Sequence, residues 1–86
     1  MTPAQCRAAR ALLGLEQGDV AERAGIARAT LIDFEKDQRT PRAATIAAIQ
    51  TALEDAGVEF IADEGEGVGV RLRKEYPIGE DDFDYA

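Results

Sequence analysis

The apolar positions fall into four helical stripes, and then their period changes. Cys6, Ala9 and Leu13 recur at helical spacing with Leu12 beside them, and Thr2 or Pro3 suits a helix start. This first helix runs to about Leu13, where Gly14 stops it. A second short helix is predicted over Gln17 to Ala24, with Val20, Ala21 and Ala24 as its stripe. Gly25 supplies the turn after it, because glycine takes positive φ at no steric cost. A third helix, from Ala27 or Arg28 to about Lys36, turns Leu31 and Phe34 inward together. Pro41 closes a polar loop, since its missing amide hydrogen bars a helix from running through it. The fourth helix is predicted from Arg42 to Ala56, on the recurrence of Ile46, Ile49, Leu53 and Ala56, and Gly57 ends it.

After Gly57 the period becomes two. Val58, Phe60 and Ala62 alternate with Glu59, Ile61 and Asp63. Val68, Val70 and Leu72 alternate with Gly69, Arg71 and Arg73. The run Asp63-Glu64-Gly65-Glu66-Gly67 between them reads as the loop of a β-hairpin. A lone two-stranded hairpin is marginal in water, so it must lie on the helices or pair with another chain. Val58, Phe60, Val68, Val70 and Leu72 offer more apolar surface than four short helices cover, and are the expected dimerisation residues. The expected organisation is therefore a helical domain over residues 1–57, a hairpin over 58–74 and an acidic, flexible tail over 75–86.

Charge changes the picture only once it is located. The chain carries a net charge of −7, which by itself argues against a phosphate-rich partner. Residues 1–57 hold seven bases against eight acids, whereas residues 58–86 hold three against nine. The helical part is nearly neutral, and the acidity belongs to the end. That end, with Tyr76, Ile78, Phe83 and Tyr85 interleaved, could dock on a basic protein partner.

Composition narrows the chemistry. There is one cysteine and no histidine, which removes a disulfide within the chain, a zinc finger and a histidine-based triad. No metal, no cofactor and no enzymatic activity are expected, and Cys6 reads as a small core residue. The glycines at 65, 67 and 69 lack the lysine of a phosphate loop. No apolar run is long enough to cross a bilayer and no signal core is visible, so a cytoplasmic location is expected.

Two short helices joined by a glycine-containing turn are the pattern of a DNA-reading helix-turn-helix. The second of them is short enough to enter the major groove, where its leading side chains reach base edges. The stretch from Arg10 to Pro41, RALLGLEQGDVAERAGIARATLIDFEKDQRTP, resembles the Cro/CI (XRE) family. The agreement runs in register through Arg10, Gly14, Leu15, Gln17, Ala21, Gly25, Arg28, Thr30, Leu31, Glu35, Arg39 and Pro41.

The resemblance implies a mainly α, four-helix, lambda-repressor-like domain followed by the hairpin and tail. It implies that Gln17 bonds a phosphate and that Arg28, Ala29 and Asp33 face bases. Thr30, Arg39 and Thr40 would meet the DNA strand. Arg10 and Glu35 match an ion pair that joins the first helix to the third. Four positions depart from the family pattern. Glu16 and Ala27 stand where capping serines are usual, Asp33 where a polar or basic residue is usual, and Asp37 where glycine is usual. The function implied is a transcriptional regulator, a repressor binding operator DNA as a homodimer. The alternative is an antitoxin or anti-activator that uses the same scaffold and its acidic end to bind protein.

Overall fold

The computed structural model describes residues 1–73; the expected tail over 75–86 lies outside them. Four helices are followed by one antiparallel hairpin. They are α1 (Pro3–Leu13), α2 (Gln17–Ala24), α3 (Arg28–Glu35), α4 (Ala43–Ala56), β1 (Val58–Ile61) and β2 (Gly69–Leu72).

Local chemistry accounts for the boundaries. Thr2 caps α1: its hydroxyl accepts the Gln5 amide at 3.0 Å, and the Gln5 carboxamide oxygen accepts the Thr2 amide at 2.9 Å. Gly14 and Gly25 close α1 and α2 at φ 70° and 71°. At the start of α2, the Glu16 amide donates to Asp19 Oδ2 at 2.9 Å, the bond that the third helical residue makes back to the cap in a capping box. Ala27 precedes α3 with no side-chain cap. After α3, Asp37 takes the left-handed conformation (φ 59°) that glycine takes in the family pattern.

The core is built from one residue stripe per element. Cys6 and Ala9 of α1, Val20 and Ala21 of α2, Leu31 and Phe34 of α3, Ile49 and Leu53 of α4, and Val58 of β1 are buried together. Removing a side chain the size of Leu31 or Ile49 from water contributes about 2 kcal/mol. α2 packs on α3 and α4, while the hairpin packs on α1 and α4.

The hairpin pairs Val58 with Leu72, Glu59 with Arg71, Phe60 with Val70 and Ile61 with Gly69. Residues two apart share a face, so Val58, Phe60, Val70 and Leu72 form one row. Val58 is fully buried, and Phe60 and Val70 pack against the core. This corrects the sequence expectation that Val58 belongs to a dimer surface. The reason is geometric: β1 packs on α1 and α4 and β2 on α1, which turns Val58 into the helical core. Gln5 locks the fit, because its carboxamide nitrogen donates to the carbonyls of Ile61 (3.3 Å) and Gly69 (2.8 Å). Val68 and Leu72 remain 49% and 40% exposed. The opposite face carries an Arg71–Glu59 ion pair at 2.8 Å, in solvent and of little energetic weight.

Candidate nucleic-acid interface

α3 has a locked side and an open side. Leu31, Phe34 and Glu35 are buried, whereas Arg28, Ala29 and Lys36 are exposed and Asp33 is half-exposed. Ala29, Asp33 and Lys36 are spaced by four and three, so they form a single outward stripe. Eight residues of α-helix extend about 12 Å, close to the width of a major groove.

The locked side is held by charge as well as by packing. Glu35 is 2% exposed. Its carboxylate accepts from Arg10 Nε at 2.7 Å and Arg10 Nη2 at 2.8 Å, from Gln17 Nε2 at 3.0 Å and from Cys6 Sγ at 3.1 Å. Arg7 Nη1 donates to the Glu35 backbone carbonyl, and Arg10 Nη1 to that of Leu15 at 3.2 Å. The end of α3 is thereby tied to α1 and to the first residue of α2. Burial alone would raise the Glu35 carboxyl; the bonds from Arg10, Gln17 and Cys6 outweigh it and hold it below the ordinary value. The bond to Glu35 raises the Arg10 guanidinium. Burial, with Glu35 beside it, pushes the Cys6 thiol far up, so it remains a neutral donor.

The expected ion pair of Arg10 and Glu35 is thus present. Gln17 stands at the start of α2, half-buried, with one amide hydrogen directed at Glu35. A carboxamide nitrogen has two hydrogens, so the other remains for a second acceptor. Arg39 and Thr40 are exposed in the loop after α3, and Thr30 is half-buried on α3. Lys36 and Arg42 are exposed on either side of that loop. Sequence reading did not place them among the DNA-binding residues, although their spacing around Arg39 was visible. Cys6 as a hydrogen-bond donor and Arg7 as a tie to α3 were also missed, because no local pattern marks them. Among the described residues, no group of histidine, cysteine, aspartate and glutamate is arranged to hold a metal ion. No described helix is long and apolar enough to cross a membrane.

A short helix held rigidly from behind and open in front, following a helix and a tight glycine turn, defines a helix-turn-helix DNA-binding protein. The helix-turn-helix family model matches residues 7–54, and the chain belongs to this family, of the Cro/CI (XRE) type. It is a DNA-binding regulator of that type; the family is one of DNA-binding domains and not of enzymes. No curated protein matches the chain.

Proposed function

We propose that the protein is a cytoplasmic transcriptional repressor that occupies a specific operator as a homodimer. The observation that carries this reading is the rigid presentation of α3, with Arg28 and Ala29 exposed and Glu35 bound from three sides. α2 crosses the DNA backbone, with Gln17 near a phosphate. Asp33 faces the base edges, while Thr30, Arg39 and Thr40 hold the strand. Phosphate contacts set the position of the protein on the duplex, and base contacts set the sequence.

A repressor of this size gains specificity by reading two half-sites, one helical turn apart, with two copies related by symmetry. Val68 and Leu72, exposed on the hairpin, are the apolar residues available for that contact.

Selection from a random duplex pool tests the reading. The protein is expected to enrich one bipartite sequence, bound by two chains, with affinity falling as salt rises. Failure to enrich any sequence at low salt would remove the proposal. A second reading, an antitoxin or anti-activator, is favoured by the exposed acidic loop of Asp63, Glu64 and Glu66 beside Val68. It predicts tight binding of a basic protein by chain that enriches no DNA.

A further inference from the structure

Arg28 opens α3, and Gly18 is the second residue of α2. A methyl group on Gly18 would stand 3.7 Å from Arg28 Cζ, 3.8 Å from Nε and 3.9 Å from Nη2. Three atoms of one guanidinium at nearly equal distance place its flat face over the glycine. Its N–H donors lie in the plane of the group, so they point sideways along the surface. Among the described residues Arg28 has no ion pair and no hydrogen bond. The side chain is therefore drawn back from the outward stripe of α3 and laid across the first turn of α2, with its donors free.

We infer that Gly18 is a positioning residue: a methyl there would just touch the guanidinium, and the lack of any longer side chain lets Arg28 lie across α2, where it meets the phosphodiester backbone instead of a base edge. The inference rests on the DNA-binding reading and refines which residue reads sequence. In a helix-turn-helix the first helix of the pair crosses the sugar–phosphate strand, while only the second enters the groove. A group resting on α2 is at the strand. Of Ala29 and Asp33, Asp33 alone has a side chain that hydrogen-bonds a base, and a carboxylate accepts from the cytosine amino group. Base preference thus lies with Asp33, and Arg28 supplies affinity without sequence. A long side chain at position 18 would take the space of the guanidinium and release Arg28 from the strand.

The test uses the duplex enriched by the unaltered protein and a random duplex, each titrated over a range of salt. Arg28→Ala is expected to enrich the same sequence as the unaltered protein. It should bind both duplexes more weakly by a similar factor, with the slope of log affinity on log salt shallower by about 1. Gly18→Leu should weaken binding in the same way, and adding Arg28→Ala to it should change little, since the two residues act as a unit. Loss of one preferred base in Arg28→Ala, with the slope unchanged, would overturn the inference and leave the DNA reading intact. So would full additivity of the two substitutions. If Gly18→Leu fails to fold, as circular dichroism would show, the Arg28→Ala comparison decides alone. If the unaltered protein enriches no sequence, the DNA reading itself falls, and the role of Gly18 with it.

Discussion

Arg10 grips Glu35 through two parallel bonds, Nε to Oε2 at 2.7 Å and Nη2 to Oε1 at 2.8 Å. The fork of a guanidinium matches the two oxygens of a carboxylate, so the pair fixes an orientation as well as a distance. It spans from the last turn of α1 to the last residue of α3. Arg10→Ala removes the fork and leaves a buried carboxylate with fewer donors. It is expected to cost about 3 kcal/mol in urea unfolding. Arg10→Lys should recover only part of this, because an ammonium is a point charge. A loss within experimental error for Arg10→Ala would show that the pair does not hold α3.

Acid should weaken the fold through the same carboxylate. Glu35 in the folded chain sits below its ordinary value, whereas in the unfolded chain it sits at that value. A depressed folded pKa contributes stability that is present above the unfolded value and drains away as pH falls through the folded one. The thermal midpoint, followed from neutrality down to about pH 3, is expected to fall in step. Glu35→Gln should be less stable than the unaltered protein at neutrality, with the gap closing as pH falls. A gap that stays constant would place the acid sensitivity elsewhere.

Asp37 offers the opposite sign. Its φ of 59° lies in the left-handed region, which costs an L-residue energy and glycine none. Asp37→Gly relieves that strain while adding freedom to the unfolded chain, for a net gain of about 0.5 kcal/mol. Asp37→Val, with a branched side chain, should lower stability instead. Thermal unfolding of both variants checks the pair of signs. The glycine variant also loses a carboxylate next to the DNA-facing stripe, so its DNA affinity should rise.

The hairpin separates two kinds of apolar residue. Val58 is fully buried, and Leu72, its cross-strand neighbour, is 40% exposed. Val58→Asp is expected to unfold the protein, because it places an unpaired charge in the core. Leu72→Asp and Val68→Asp should leave the far-ultraviolet spectrum unchanged and convert the proposed dimer to monomer in sedimentation velocity. A folded Leu72→Asp, Val68→Asp double variant that sediments unchanged would take the dimer contact away from the hairpin.

Much of this architecture was legible along the chain. Helix limits follow from residues that act within one turn: Thr2, Pro3, Gly14, Gly25 and Gly57 bound their helices where sequence reading put them. The spacings of Leu31 with Phe34 and of Ile49 with Leu53 identified the buried stripes, since period alone decides which residues share a face. The partnership of Arg10 with Glu35 was legible only by resemblance, as the two are 25 positions apart.

The sequence by itself therefore determined the four helices, the hairpin and the register of the helix-turn-helix, because caps, turns and periodicity are local interactions. The tertiary structure alone decided where the elements face one another. It put Val58 into the core against the helices, the Gln5 carboxamide on Ile61 and Gly69, and the Cys6 thiol and the Gln17 carboxamide on Glu35. It also set the Arg28 guanidinium over Gly18, within 4 Å of where a Cβ would stand. Each of these contacts depends on the distance between residues remote in the chain, and no local pattern encodes that distance.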